Sequence, residues 1–325
     1  MRTIQYKTAI NEAMREEMEK DERVFVIGED VDILGGVFKT TRGLVEKFGS
    51  KRVRGTPISE SAFIGCAAGA AMTGLRPIVE IMYMDFALVG MDQLVNQACN
   101  ICYMSGGRVR MPIVFRGQIG IGSREAAQHS RQFESWFVNT PGIKVVMPST
   151  VYDAKGLLKS AIRDDNPVLY LENRMLYLRK DSVPEGEWLV PIGQAKVRRE
   201  GRDITVVATG TAVQKALAAA DSLAGTHEME VIDPRTLAPL DMDTIMTSVK
   251  KTSRLLVVQE GPPQASFGAE VVRRCAEEGF SYLECAPRVL GARQVPVPFS
   301  PVLEDACIPQ TADIVSLVEK MLSGK

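Results

Sequence analysis

The sequence predicts an α/β protein made of two parallel-sheet domains in series. Three observations carry that expectation. Short apolar runs rich in Val and Ile alternate with amphipathic stretches of helical period. The alternation fails around residues 173–203 and then restarts. The 325 residues amount to about two ordinary domains.

Taken in order, residues 7–20 put Ala9, Ile10, Ala13, Met14 and Met18 on one helical face. Residues 24–27 read as a short buried strand. Residues 59–73 read as a helix of small residues, with Ser59 as N-cap and Gly74 as its stop. A strand at 77–81, a long helix at 84–104 and a strand at 112–115 follow. After a glycine-rich loop come a strand at 144–147, a helix at 151–163 and a strand at 167–172, and the first domain spans 1–180. Pro184, Gly186, Pro191, Gly193 and Gly201 interrupt any period, so 181–203 reads as a linker. The second domain, 204–325, alternates strands at 204–208, 229–232 and 255–258 with helices at 212–223, 242–251, 268–277 and 312–321.

Composition excludes several functions. The 39 basic and 40 acidic side chains leave a net charge of -1, so no basic field remains for nucleic acid or a membrane surface. Apolar content of 45% with 24% charged residues excludes disorder. The longest uncharged apolar stretch, residues 61–75, is 15 residues long, below the roughly 18–20 of a membrane helix. The first six residues carry no signal-peptide run, and a cytoplasmic protein is expected. Cys99 and Cys102 form a C-x-x-C inside a helical pattern. No second pair completes a zinc site, so these cysteines read as core.

Common enzyme signatures are absent: no G-x-G-x-x-G, Walker loop, G-x-S-x-G or H-E-x-x-H occurs. The glycines from Gly117 to Gly122 have the wrong spacing for a phosphate loop and read as a surface loop. Of two histidines, His227 reads as surface, while His129 lies past the carboxyl end of a predicted parallel strand, where open α/β sheets bind ligands. Glu60 falls in the first turn of the helix at 59–73, where a carboxylate complements the helix dipole. Gly65 and Gly69 would let another backbone approach that helix closely.

Together, Glu60, Gly65, Cys66, Gly69 and Ala70 match a larger pattern: Glu, four residues, Gly, apolar, two residues, Gly, apolar. That pattern resembles the pyrimidine-binding domain of thiamin-diphosphate enzymes. Nearly the whole chain is similar to one branch of them, the beta subunits of 2-oxo acid dehydrogenase complexes of the pyruvate and acetoin type. The likeness runs through Gly28-Glu29-Asp30, Gly35-Gly36-Val37-Phe38, Gly74-Leu75-Arg76-Pro77 and Asp92-Gln93-Leu94-Val95-Asn96-Gln97. It continues through Tyr103-Met104-Ser105-Gly106-Gly107, Ala127-Gln128-His129-Ser130, Pro141-Gly142-Ile143-Lys144 and Asp233-Pro234-Arg235-Thr236-Leu237.

The resemblance implies a thiamin-diphosphate pyrimidine-binding fold followed by a transketolase C-terminal-type domain. It implies that Glu60 bonds ring N1′ of the aminopyrimidine, that Phe86 stacks on that ring and that Glu29 belongs to a buried proton path. It implies that His129 assists acyl transfer to the lipoyl dithiolane, with Arg131 standing where the family usually has Gln. Potassium would be held by main-chain carbonyls of Ile113, Ala161, Ile162, Asp164 and Asn166. The family holds Mg²⁺ and the diphosphate with Gly-Asp-Gly and a later Asn. No Gly-Asp-Gly occurs here, so an α2β2 heterotetramer is expected in which the alpha subunit binds Mg²⁺. The expected reaction is oxidative decarboxylation of a 2-oxo acid, pyruvate first, with acyl transfer to a dihydrolipoyl acyltransferase core. That core would dock on the C-terminal region near Glu304, Asp305 and Asp313. The alternatives are the acetoin and branched-chain beta subunits, half of a transketolase-like enzyme, and a non-enzymatic scaffold. Ala127-Gln128 resembles the pyruvate and acetoin groups more than the branched-chain one, and Glu60 with His129 argues against a scaffold.

Overall fold

In the computed structural model, which describes residues 1–323, the chain packs as two compact units. The first comprises Met1–Ile119 and Trp136–Ile192; the second comprises Gly120–Ser135 and the chain from Gly193 onward.

The first unit opens with β1 (Arg2–Gln5), α1 (Tyr6–Lys20), β2 (Val24–Glu29), α2 (Leu44–Phe48), β3 (Val53–Thr56), α3 (Glu60–Met72) and β4 (Arg76–Tyr83). Next come α4 (Ile101–Met104), β5 (Val114–Ile119), α5 (Glu134–Val138), which starts before the chain returns to this unit, β6 (Lys144–Val146), α6 (Val151–Arg163), β7 (Val168–Asn173) and β8 (Lys180–Val183). Its strands are ordered β6-β7-β5-β4-β2-β3, every neighbouring pair parallel. β1 and β8 form a separate antiparallel pair. The predicted face of α1 is buried: Ala9, Ile10, Ala13 and Met14 pack with Ala154, Leu157 and Leu158 of α6. Lys155 and Lys159 of α6 are fully buried yet paired, Lys155 Nζ with Glu12 at 3.0 Å and Lys159 Nζ with Glu16 at 2.7 Å. Such pairs add little net stability but fix which faces of α1 and α6 meet.

In the second unit, β9 (Lys196–Arg199), β10 (Ile204–Ala208), α7 (Ala212–Ser222), β11 (Met229–Asp233) and the short β12 (Thr236–Ala238) lead to α8 (Met242–Thr252) and β13 (Leu255–Val258). It closes with α9 (Phe267–Gly279), β14 (Arg288–Leu290), α10 (Pro301–Asp305) and α11 (Thr311–Leu322). The sheet order is β14-β13-β10-β11-β9, parallel except for β9 against β11. α7 and α11 close one core over it, with Val213, Ala216, Ile314 and Val318 buried.

Four expectations change. The stretch 84–104 is not one helix: a 3₁₀ segment Met84–Gly90 passes into a π segment Asp92–Ala98 and then α4. Contact with α3 draws Met84–Gly90 inward. Ser61 Oγ donates to the Val89 carbonyl at 2.6 Å, and a Cβ on Gly90 would lie 2.5 Å from Ile64 Cδ1 and 3.2 Å from the Glu60 carbonyl oxygen. Ser59 does not cap α3 with its side chain. The first turn is instead closed by the amides of Ala62 and Phe63 donating to the Ser59 carbonyl. Finally, Gly117 belongs to β5 rather than to a loop, because its missing Cβ lets the strand approach the Ile81 carbonyl and Met84 sulfur of the neighbouring segment. Residues 181–203 also contain most of β8 and all of β9.

Candidate active site

In the first unit, the candidate residues gather where β2, β3 and α3 meet. Glu29 ends β2 and pairs in register with Thr56 at the end of β3, four residues before Glu60. Parallel strands end together, so both residues lie at the carboxyl edge of the sheet, the ligand side of such folds. Glu60 opens α3 and is only 6% exposed. Burial, then the charges of Asp30 and Glu60, push the Glu29 carboxyl above its ordinary value. Glu29 and Glu60 thus share one electrostatic environment, in which the Glu29 carboxyl retains its proton more readily than it would in water. Thr56 Oγ1 is buried and finds no hydrogen-bond partner among the described residues. A buried hydroxyl left so is free to bond a polar group from outside the chain. Two carboxyls and an orphaned hydroxyl fit the nitrogen-rich edge of an aminopyrimidine.

Phe86 lies in the 3₁₀ segment, half-buried, and its place is set by an aromatic chain. It meets Tyr83 edge-on at 6.1 Å between centroids, and Tyr83 meets Phe38 edge-on at 5.5 Å. Phe38 in turn lies under the Arg174 guanidinium at 4.9 Å.

Sequence reasoning missed a charged cluster inside the sheet. Arg116 of β5 is 1% exposed, with Nε bonding Glu172 of β7 at 2.6 Å and Nη1 pairing with Glu80 of β4. Tyr177 donates to Glu172 at 2.6 Å and Thr40 to Glu80 at 3.1 Å. Burial opposes the arginine's charge, but Glu172 and Glu80 outweigh it and hold Arg116 protonated well above its ordinary range. The signal was present: single charged residues inside apolar strands that are covered on both faces.

His129 belongs to the second unit. Its segment, Gly120–Ser135, packs there although it falls within residues 1–180. Glu260 accepts from the Ile121 amide at 3.2 Å and from Gln132 Nε2 at 3.0 Å. Glu304 accepts from the Gly122 amide at 2.8 Å and from Arg124 Nη1 at 2.6 Å. Glu304 is fully buried, so its expected role as an exposed docking charge is replaced by this internal pairing. Asp305 is exposed but also bridges Arg124, and Asp313 completes a capping box with Gln310 at the start of α11. Arg131 is exposed. Glu134 is buried, and burial together with the nearby Glu260 charge pushes its carboxyl up to about 7.

Most of the carbonyls expected to hold potassium already accept hydrogen bonds. Arg76 donates to Ile162 at 3.0 Å and to Asp164 at 2.7 Å, Val168 to Ile113 at 2.9 Å, and the Asp164 amide to Ala161 at 3.2 Å. Asn166 bonds the Asp164 side chain. Among the described residues, no group of three or more His, Cys, Asp or Glu is arranged to hold a metal. Burial pushes the Cys99 thiol up to about 12, which keeps it a core residue rather than a reactive thiolate.

Residues 2–180 match the transketolase pyrimidine-binding domain, and residues 193–314 match the transketolase C-terminal domain. A solved split-gene transketolase, an inactive beta4 tetramer, shares the fold with a TM-score of 0.79, covering 98% of each chain at 23% identity. The two domains define the class: a transketolase-type subunit of a thiamin-diphosphate-dependent enzyme. The pyruvate dehydrogenase E1 component subunit beta of Rhizobium meliloti is 46% identical over 321 residues, 98% of this chain and 70% of that one. The mitochondrial pyruvate dehydrogenase E1 component subunit beta of Homo sapiens is 48% identical over 324 residues, 98% of this chain and 90% of that one. The acetoin:2,6-dichlorophenolindophenol oxidoreductase subunit beta of Bacillus subtilis is 45% identical over 334 residues, 99% and 98% of the two chains. The chain belongs to the pyruvate dehydrogenase E1 beta-subunit family.

Proposed function

We propose that this chain is the beta half of a heteromeric 2-oxo acid dehydrogenase that decarboxylates pyruvate oxidatively and passes the acetyl group to lipoamide. The observation that carries the proposal is the buried Glu60 carboxyl at the head of α3, in the field of Glu29 and close in sequence to the unpartnered Thr56 hydroxyl. When bound, thiamin diphosphate supplies the electron sink for the carbon that loses carbon dioxide. Glu60 holds and returns a proton at ring N1′, as a general acid in an apolar pocket does. Phe86, fixed by Tyr83, supports a face of the pyrimidine, and Glu29 belongs to the proton path of the site. His129 delivers a proton to the dithiolane sulfur during acyl transfer.

The diphosphate end and Mg²⁺ fall to an alpha subunit in an α2β2 assembly. Exposed surface supports such a partner. Ala62, Cys66 and Gly69 form a bare small-residue face on α3, and Val89, Tyr103 and Met104 are 59%, 89% and 62% exposed. An interface of this apolar kind suits an obligate complex. A dihydrolipoyl acyltransferase core is the second partner. Potassium at the carbonyls of Ile113, Ala161, Ile162, Asp164 and Asn166 would share two of them with Arg76. All six cysteines are free, as expected in a reducing compartment such as the cytoplasm. Among the described residues no helix is long and apolar enough to cross a membrane.

Identity to the Bacillus subtilis acetoin oxidoreductase subunit keeps acetoin as the second substrate. The test is to purify the chain alone and with its alpha subunit, add thiamin diphosphate and Mg²⁺, and compare pyruvate, acetoin and branched 2-oxo acids. Turnover of pyruvate by the pair and none by the chain alone is expected. Turnover by the chain alone would reject the heteromeric reading, and preference for acetoin would move the substrate.

A further inference from the structure

The segment that carries His129 is held in a costly shape. Arg124 and Ala126 have φ of 62° and 60°, left-handed values that side chains disfavour, and Gly120 and Gly122 have φ of 123° and 125°. Such a shape persists only when its surroundings impose it. Two buried carboxylates of the same unit do so from either end. Glu304, on α10, takes the amides of Gly122 at 2.8 Å and Arg124 at 3.4 Å together with the Arg124 guanidinium. Glu260, after β13, takes the Ile121 amide at 3.2 Å on one side of His129 and Gln132 Nε2 at 3.0 Å on the other. Glu260 is itself fixed by the Thr211 amide at 3.2 Å and by the Thr211 hydroxyl. Glu304 is 0% and Glu260 3% exposed, so neither is kept for solubility.

We propose that Glu304 and Glu260 are positioning residues that clamp residues 121–132 in the conformation presenting His129 for acyl transfer. The inference rests on the reading of His129 given above. Charge-assisted bonds from buried carboxylates to backbone amides are among the strongest a protein makes, so the clamp resists thermal loosening of the loop.

The test is a double-mutant cycle on the enzyme assembled with its alpha subunit. Glu304→Gln and His129→Ala are made singly and together, and kcat/KM is measured for acylation of a lipoyl domain. Since a misplacement of about 1 Å can cost up to about 100-fold, Glu304→Gln should lose about ten-fold by itself. In the His129→Ala background it should lose less than about two-fold, because nothing is left to position. Trypsin should also cut after Arg124 faster in Glu304→Gln than in the parent enzyme. Equal losses in both backgrounds, or no loss, would overturn the inference while leaving His129 its role. A harmless His129→Ala would defeat the functional reading, and the inference with it. If Glu304→Gln does not assemble, Arg124→Gly, which breaks the same ion pair while relieving the positive φ, takes its place in the cycle. Failure of both to assemble would assign the carboxylate to folding and reject the proposal.

Discussion

Gly90→Ala tests whether the seam between the 3₁₀ segment and α3 sets the position of Glu60. The added methyl carbon would lie 2.5 Å from Ile64 Cδ1, 3.2 Å from the Glu60 carbonyl oxygen and 3.3 Å from its carbon. Ile64 is fully buried, so its terminal methyl has nowhere to go, and the backbone of Glu60 cannot yield without moving the head of α3. Overpacking of this kind costs about 1–3 kcal/mol. In a domain of this size, each kcal/mol lowers Tm by about 2–4 °C. Ile64→Val removes the atom in the way and alone costs about 0.5–1.5 kcal/mol. The double variant should therefore regain most of what Gly90→Ala loses, only the 3.2 Å approach to the Glu60 carbonyl oxygen remaining, with cofactor affinity recovered in the same measure. Thermal unfolding of the four proteins, and titration of each with thiamin diphosphate in the complex with the alpha subunit, give both readouts. A double variant that loses the sum of the two single effects would refute the steric account, since the closest contact it invokes, 2.5 Å to Ile64 Cδ1, would be absent.

Two further outcomes follow from buried charge. Arg116→Met strands Glu80 and Glu172 in the sheet and should cost about 3–5 kcal/mol, read as a fall in the denaturant midpoint; a loss under about 1 kcal/mol would mean that water reaches the cluster. Glu134 is held at about 7 against an ordinary 4.5, so between those values the folded chain keeps a proton that the unfolded chain has lost. Its contribution to stability is present below about pH 4.5 and is lost as pH rises through about 7, a swing on the order of 3 kcal/mol. Glu134→Gln has no such proton, so its Tm should exceed that of the parent at pH 8 and match it near pH 4. A gain of equal size at both pH values would contradict the cause assigned.

What the sequence revealed follows from how strongly each element is buried. β10, β13 and α6 were legible to the residue because their apolar runs are wholly buried or cleanly periodic. β3, β8 and β9 were not, since each is short and none has more than one buried position, so no apolar run or alternation marks it. The break of 84–104 into 3₁₀, π and α pieces comes from contact with α3, which a helical period cannot report. Glu60 and Glu29 could be proposed because each sits in a local motif, and the fold brings them into one electrostatic environment. The anchoring of the His129 segment was hidden because Glu304 is some 180 residues away along the chain, and its charge looked like surface. The Arg116 cluster, by contrast, left a readable trace in three apolar strands.

The central claim is that Glu60 controls the proton on the cofactor's pyrimidine ring. The most direct measurement is the rate at which the C2 proton of bound thiamin diphosphate exchanges with deuterium, in the complex with the alpha subunit, for the parent and for Glu60→Gln. Glutamine keeps the size and burial of the side chain at the head of α3 but cannot give or take the proton. Positioned acid–base groups contribute about 10²–10⁴-fold, so exchange in Glu60→Gln should slow by at least about 100-fold with cofactor still bound. Exchange at the parent rate in a correctly assembled, cofactor-loaded variant would contradict the account.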